Sequence, residues 1–406
     1  MVNVIGLGYI GLPTALMMAA NGVQVTGTDC NQDIVRDLRD GKIHFEEKGL
    51  ANIFQKAQTN GIAFGMKYIY ADQYIVAVPS PHNVKTKKVD TRYIESAINR
   101  ILEVAPPDAI IIVESTVSPG TIDRSIRPLI AKSEKKNIRL AHAPERIIPG
   151  NMVHELIYNH RAIGADDERT RQQVKELYSS FCRGTITLTD IKTAEMTKVV
   201  ENTFRDVNIA FANELCKICD DAGVDVHEVI QIANQHPRVN ILSPGPGVGG
   251  HCIAVDPWFL VGDYPGIAEL ILAARKVNSS MPDYILKRIF EIMKRYGISD
   301  AARVGLYGLT YKENVNDIRE SPTLQMIDIM QRHLAFGVQV YDPLIKVKKV
   351  ENQWFDFDGF LAYVDLVVVM VAHDEIMESV DKLQGKVVFD TRDCLTLSKE
   401  VKLIKL

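Results

Sequence analysis

At 406 residues, with 46% hydrophobic and 24% charged side chains, the chain is long enough for two or three domains with ordinary cores. Its formal net charge of -4 provides no global basic field, which argues against nucleic acid or an anionic membrane as partner; an anionic substrate needs local positive charge. The longest apolar runs, Leu366 to Ala372 and Ala109 to Val113, are strand-sized and far short of a transmembrane helix. With the first strand signal at Val2, no signal peptide is expected. The six cysteines (Cys30, Cys182, Cys216, Cys219, Cys252, Cys394) have no framework spacing, which points to reduced thiols in a cytoplasm.

Short apolar runs alternate with helical patterns through the N-terminal part, the signature of a parallel α/β sheet. Strands are expected at Val2–Gly6, Gln24–Thr28, Tyr74–Val78, Ala109–Glu114 and Arg139–Ala143, with Arg161–Gly164 and Thr185–Leu188 adding an edge. This places a dinucleotide-type domain at 1–189. From Asp190, a good N-cap, to Gly223, a good C-cap, no Pro or Gly interrupts Ile191 to Ala222, and the spacing predicts one helix of about 50 Å at the usual rise per residue. A helix so long bridges domains or subunits. A helical stretch over Ala268 to Tyr296 completes a central region, 190–296. Strand signals return at Arg303–Tyr307, Val338–Tyr341, Leu366–Val371 and Lys386–Phe389 around an amphipathic helix at Ser321–Phe336, predicting a second, smaller βαβ domain at 297–406.

The turn Gly6-Leu7-Gly8-Tyr9-Ile10-Gly11 matches G-x-G-x-x-G, follows an apolar strand and opens an apolar helix, and the next strand ends in Asp29. That context reads as a dinucleotide site: backbone N–H groups around Gly6, Gly8, Tyr9, Ile10 and Gly11 face a pyrophosphate at a positive helix end. A carboxylate at Asp29 accepts from ribose hydroxyls and repels a 2′-phosphate, which favours NAD over NADP. Two further strand ends, Val78-Pro79-Ser80-Pro81 and Glu114-Ser115-Thr116-Val117, put Pro79, Ser80 and Thr116 at the carboxyl edge where such folds bind ligands; for Ser80 an ordinary turn is an equal reading. The first turn of the later domain, Gly305-Leu306-Tyr307-Gly308-Leu309-Thr310, lacks the fingerprint and suits some other ligand.

Between the helical segments lies PGPGVGGHCIAVDP, residues 244–257. Taken alone, a cysteine in such a loop is more often inert than reactive.

Taken with this loop, the set GLGYIG, VESTVSPGT, APERIIPG, AEMTKVVENTFRDVN, HPRVN and GLTYKENVNDIRESP resembles the UDP-glucose/GDP-mannose dehydrogenase superfamily, in order and over nearly the whole length. The forms GVGGHCIAVDPWF, NTFRDVNIAFANE and HPRVNI are most similar to its UDP-N-acetyl-D-mannosamine branch. UDP-N-acetylglucosamine relatives tend to have proline where Ala254 stands, and UDP-glucose enzymes a lysine where Val255 stands.

The resemblance implies an N-terminal Rossmann-like NAD-binding domain, a central long-helix dimerisation region and a C-terminal Rossmann-like UDP-binding domain, assembled as a homodimer or a higher oligomer. It implies oxidation of a sugar primary alcohol to a carboxylate with two NAD. The second hydride loss requires a nucleophile on the intermediate aldehyde, and Cys252 would form the thiohemiacetal and thioester, with the loop glycines allowing close substrate approach. By the same resemblance Asp256 would orient or activate the water used as base. Lys198 and Asn202, at i and i+4 on one helix face, would stabilise the alkoxide and oxyanions; without the resemblance Lys198 reads as a solvated lysine. Thr116 would hold the catalytic water and Glu145 act as general base; a second glutamate found in the UDP-glucose branch is replaced by Pro149.

Substrate contacts are implied for Glu145, Arg146, Lys198, Asn202, Arg205 and Gly249. Arg238 corresponds to an arginine that reaches the neighbouring subunit's substrate, and Lys312 and Arg319 match a linker touching UDP and NAD. His251 either tunes Cys252, contacts the N-acetyl group or packs. No metal is expected: Cys216-Lys217-Ile218-Cys219 lies inside the long helix and reads as packing. Lys85 to Lys88 reads as a solvated loop and Lys132 to Lys136 as a helix surface. Competing readings are the same chemistry on UDP-N-acetylglucosamine or another UDP-sugar, an inactive NAD- and UDP-sugar-binding sensor, and a two-electron hydroxyacid dehydrogenase, for which Cys252 is not needed.

Overall fold

The computed structural model describes residues 1–135, 137–148, 150–332, 337–396 and 401–406; Lys136, Pro149 and the end of the helix expected at Ser321–Phe336 lie outside the described residues. The chain divides into two compact units, Met1–Glu201 and Asn202–Leu406.

The first unit is built on a sheet of β1 (Val2–Ile5), β2 (Val25–Thr28), β3 (Ala63–Gly65), β4 (Gln73–Val76), β5 (Ile110–Val113), β6 (Arg139–His142), β7 (Arg161–Ala165) and β8 (Ile186–Thr189). Among the described residues their order is β3-β2-β1-β4-β5-β6-β7-β8. Neighbours run parallel except β6 and β7, where Ala141 faces Ala165 and His142 faces Gly164 in antiparallel register. Strands such as β5, Ile-Ile-Ile-Val, are buried throughout because helices cover both faces, which is why parallel strands read as continuous apolar runs. One cover is the helix Arg92–Val104, which buries Ile94, Ala97, Ile98, Ile101 and Leu102, the i, i+3, i+4 stripe of an amphipathic helix.

The long helix runs Ile191–Ala222. Asp190 opens it, its carboxylate accepting from the Thr193 N–H at 2.9 Å and hydroxyl at 2.6 Å, and Gly223 follows its end at φ +68°, a conformation glycine adopts without strain.

The second unit contains β9 (Val304–Tyr307), β10 (Gln339–Tyr341), β11 (Gln353–Trp354), β12 (Leu366–Val369), β13 (Val387–Asp390) and β14 (Lys402–Lys405). They form a parallel sheet in the order β11-β10-β9-β12-β13-β14. The strands β3, β11 and β14 were not expected from the sequence.

The helical stretch expected over Ala268 to Tyr296 is two helices, Glu269–Ser279 and Met281–Tyr296, broken at Ser280. Pro282 explains the break: it has no N–H for the preceding turn and suits the first turn of a new helix. The second of these helices buries Ile285, Leu286, Ile289, Ile292 and Met293 with β9 and β12 in one core. The amphipathic helix in this unit begins at Pro322 and is described to Arg332.

Candidate active site

In the first unit the fingerprint glycines divide the work between them. A Cβ on Gly6 would lie 2.5 Å from the Ala77 carbonyl oxygen, and one on Gly11 would lie 1.9 Å from that of Gly6. These two let strand, turn and helix close on one another. Nothing lies within 4 Å of a Cβ on Gly8, so its face is open to a ligand. The helix Gly11–Ala20 has neither a side-chain cap nor an acidic residue in its first turn, which leaves its positive end to an external anion. Asp29, at the end of β2, accepts the N–H of Leu7 at 2.7 Å and that of Asn31 at 2.8 Å, and so is fixed beside the turn. These residues fit a dinucleotide.

The two other strand ends also meet. The Ser115 hydroxyl donates to the Val78 carbonyl at 2.6 Å, bringing half-buried Thr116 beside the turn that carries exposed Pro79 and buried Ser80. The segment beyond Thr116 is clamped from the long helix: Glu195 accepts the N–H groups of Gly120 at 2.5 Å and Ile122 at 2.9 Å. Burial raises the Glu195 carboxyl to about 7 against those two donors. One turn further along the helix is Lys198, only 6% exposed, with no carboxylate paired to it among the described residues.

Glu145 is buried beside β6 and pairs with Arg161 of β7 at 2.6 Å, while its other oxygen accepts the Arg146 N–H at 2.7 Å. The Arg161 guanidinium lies over the rings of Tyr178 at 4.8 Å and Phe181 at 5.3 Å. Tyr178 donates to Glu114 at 2.9 Å. Burial, and then the neighbouring Glu145, push Glu114 up to about 8. Arg146 turns to Glu201 at 2.6 Å and to the His160 carbonyl at 3.0 Å.

In the second unit Cys252 is exposed and unbridged. Its carbonyl accepts the N–H groups of Val255 at 3.0 Å and Asp256 at 2.8 Å, so the thiol-bearing residue stands at the positive end of the helix Asp256–Asp263. Asn202 donates to the Asp256 carboxylate at 2.5 Å. Lys198 lies four residues before Asn202 on the same unbroken helix, hence on the same face.

Packing within the chain itself requires two of the loop glycines. A Cβ on Gly249 would lie 2.6 Å from the Glu320 carbonyl oxygen and 2.6 Å from Tyr311 Cβ; one on Gly250, at φ +84°, would lie 2.8 Å from the Tyr311 ring. These two glycines let the cysteine loop seat against the chain at Tyr311 to Pro322, where the Gly250 N–H meets the Arg319 carbonyl at 2.9 Å.

His251 is half-buried, and burial followed by the charge of Arg319 lowers its pKa. Arg319 is exposed and forms a fork with Asp317 at 2.6 Å. Lys312 is half-buried, and its carbonyl accepts the Thr310 hydroxyl at 3.0 Å. Arg205 and Arg238 are exposed.

The edge of the second sheet differs in its electrostatics. Asp342, just beyond β10, takes the N–H of Leu309 at 2.6 Å and Thr310 at 3.0 Å with one oxygen, and Leu344 at 2.8 Å and Ile345 at 3.2 Å with the other. His373 adds a contact at 3.3 Å. Burial works to raise Asp342, but His373 and these N–H groups bring it below the usual carboxylate range. It holds the Leu309 N–H as Asp29 holds that of Leu7, yet is only 1% exposed.

Arg161, Glu195, Asp206, Arg275 and Tyr311 were missed by sequence reasoning. Polar residues inside apolar helix patterns, as at Asp206, were the available signal. Cys216 and Cys219 are buried with Ala212, Val226 and Ile230, and burial pushes Cys216 up to about 12. No metal-binding group occurs among the described residues.

A strand–turn–helix dinucleotide cradle and a second Rossmann-like sheet put the chain in the class of two-domain nucleotide-binding proteins. The chain belongs to the UDP-glucose/GDP-mannose dehydrogenase family, matching its NAD binding domain over 1–182, its central domain over 192–280 and its UDP binding domain over 305–397. It is 41% identical over 404 residues to the UDP-N-acetyl-D-mannosamine dehydrogenase of Methanococcus maripaludis, covering 97% of this chain and 92% of that one. It is also 41% identical over 406 residues to the NDP-N-acetyl-D-galactosaminuronic acid dehydrogenase of Ralstonia nicotianae, covering 96% and 95%. The native structure of the UDP-N-acetyl-mannosamine dehydrogenase of Staphylococcus aureus superposes with a TM-score of 0.89 at 38% identity, covering 100% of this chain and 97% of that one. No helix among the described residues is long and apolar enough to cross a membrane.

Proposed function

We propose that the protein oxidises the C6 alcohol of UDP-N-acetyl-D-mannosamine to the uronate, for surface polysaccharide synthesis in the cytoplasm. Exposed Cys252 at the start of the helix Asp256–Asp263 carries this reading, because only the second of two oxidations needs a thiol. NAD, when bound, accepts one hydride in each oxidation. In the first, the alcohol loses a hydride and a proton to become the aldehyde, with Lys198 and Asn202 holding the oxygen as it gains charge. The Cys252 thiol then adds across the carbonyl, forming a carbon–sulfur bond and a thiohemiacetal. Loss of a second hydride and a proton leaves the thioester. Water, held by Thr116 and deprotonated by Glu145, cleaves the carbon–sulfur bond, releasing carboxylate and thiol. One alcohol and one water thus become one carboxylate, with two hydrides and three protons released.

Asp256, oriented by Asn202, handles the proton of an adjacent water. Gly6, Gly8, Tyr9, Ile10, Gly11, Asp29, Pro79, Ser80 and Arg319 serve the dinucleotide. Arg146, Arg205, Gly249, His251 and Lys312 serve the UDP-sugar, and exposed Arg238 serves the site of a partner subunit. On this reading the chain works as three segments, 1–189, 190–296 and 297–406, and as a homodimer through the long helix.

The substrate choice follows the Methanococcus and Staphylococcus relatives; the Ralstonia relative, equally identical, favours a galacto-configured N-acetyl sugar as the second reading. The test is NADH yield per sugar across UDP-N-acetylmannosamine, UDP-N-acetylgalactosamine, UDP-N-acetylglucosamine and UDP-glucose. Two NADH per UDP-N-acetylmannosamine is expected, and a tenfold higher kcat/KM for another sugar overturns the assignment. Cys252→Ala should abolish acid production.

A further inference from the structure

A buried polar network behind the cysteine loop has no part in the chemistry above. Asp206 of the long helix and Arg275 of the helix Glu269–Ser279 pair at 2.6 Å, with side chains 0% and 5% exposed. The same Arg275 Nη1 donates to the carbonyl of Ile253, the residue after Cys252, at 3.3 Å. Asn278 donates to the Asp206 carboxylate at 2.7 Å and to its carbonyl at 2.9 Å. Asn213 donates to Asn278 at 2.9 Å and accepts the Gly245 N–H at 2.9 Å. The Arg275 guanidinium also lies over the Trp258 ring at 5.6 Å.

The loop 244–255 has no helix or strand of its own, so its path depends on such anchors. One end is held at Gly245 through Asn213, and the other at Ile253 through Arg275. Asn202 holds the residue that opens the following helix, Asp256. A buried ion pair is a weak source of stability, since desolvation offsets its attraction; it is a strong source of geometry when its donors are fixed on both sides.

We propose that the Asp206–Arg275 pair, with Asn278 and Asn213, is a positioning device that sets the height and direction of the Cys252 thiol. Resting on the reading of Cys252 as nucleophile, it predicts a selective defect: formation of the aldehyde needs no thiol, whereas its oxidation does, and a misplacement of about 1 Å can cost on the order of a hundredfold.

The test uses the full chain with three variants: Arg275→Lys, the double variant Asp206→Leu with Arg275→Met, which leaves no orphaned charge, and Cys252→Ala. Two quantities are read. The first is the rate of carboxymethylation of Cys252 by iodoacetate without NAD, measured by peptide mass spectrometry against exposed Cys30 in the same molecule. The second is the rate of oxidation of the synthetic UDP-sugar 6-aldehyde against that of the alcohol to the aldehyde. For the double variant a fall of at least fivefold in the Cys252-to-Cys30 ratio is expected, with aldehyde oxidation reduced at least tenfold more than alcohol oxidation. Arg275→Lys, which keeps the charge and one donor, should fall between it and wild type. An unchanged alkylation ratio, or equal losses in both oxidations, overturns the positioning role. If Cys252→Ala oxidises the aldehyde undiminished, the thioester reading falls, and the alkylation ratio alone still decides this proposal.

Discussion

Arg161 and Glu145 form an ion pair at 2.6 Å with both side chains 3% exposed, and no mechanism that uses Glu145 can ignore it. The arginine lies over the rings of Tyr178 and Phe181, so the carboxylate is oriented from behind while its second oxygen takes the Arg146 N–H. Arg161→Met strands one buried carboxylate beside another, Glu114. Removing one partner of a buried pair costs about 3–5 kcal/mol. In urea, the unfolding of this variant should lose stability of that order, while Arg161→Lys should lose less than half as much.

Two buried acids give the first unit a common pH response. Glu114 and Glu195 have folded pKa values near 8 and 7, above 4.5 for the free side chain. A raised acid binds its proton more tightly in the folded state, so its contribution is complete below about 4.5 and is lost as pH rises through the folded value. Thermal stability should therefore decline from pH 5 to pH 8. Glu195→Gln, a fixed mimic of the protonated acid, should flatten that decline by up to about 3 kcal/mol. A slope unchanged in Glu195→Gln would show that the clamp on Gly120 and Ile122 does not titrate.

Central strands and the long helix were legible because their signals are one-dimensional: β5 is an unbroken apolar run, and Asp190 and Gly223 bracket the helix Ile191–Ala222. The three strands not foreseen, β3, β11 and β14, are all at sheet edges. Edge strands are short and half-solvated, as in Lys402–Lys405, whose ends are exposed, so they lack that signal. The site was legible where a motif fixes backbone geometry, as from Gly6 to Gly11. It was not legible where function depends on distant partners. Arg161 and Arg275 look like ordinary strand and helix residues until the fold sets Glu145 and Asp206 against them. At the loop glycines the sequence shows that space is needed at Gly249 and Gly250, but not that Tyr311 lies against both.

The glycines themselves allow a clean contrast. Gly8→Ala adds a methyl to open space, so the midpoint of unfolding should stay within about 1 °C of wild type, under about 1 kcal/mol for a chain this size. NADH affinity should fall at least tenfold, about 1.4 kcal/mol. Gly249→Ala meets a backbone oxygen and Tyr311 Cβ at 2.6 Å; overpacking of this kind costs about 1–3 kcal/mol. It should lower the midpoint and slow Cys252 alkylation while leaving NADH affinity unchanged. Titration of NADH fluorescence beside a thermal melt separates the two, and a melting loss in Gly8→Ala would mean that the turn itself, rather than a ligand, needs that glycine.

The long helix carries a second message on its outer side. Phe204, Phe211 and Ile218 are 68%, 54% and 57% exposed and stand seven residues apart, so they share one stripe of the helix. Three large apolar side chains in a row are costly to leave in water, at roughly 1.5–3 kcal/mol each when fully exposed rather than buried. In the homodimer proposed above a second copy of the stripe would cover them, and the partner of exposed Arg238 would then be within the same particle. Phe211→Glu puts a charge at the centre of that face. Light scattering should give a dimer or larger for wild type and a monomer for Phe211→Glu. The monomer should keep its affinity for NADH, since the cradle from Gly6 to Gly11 is complete within one chain, and should lose sugar oxidation, which on this reading needs Arg238 from the partner. A monomeric variant with full activity would place Arg238 outside the reaction.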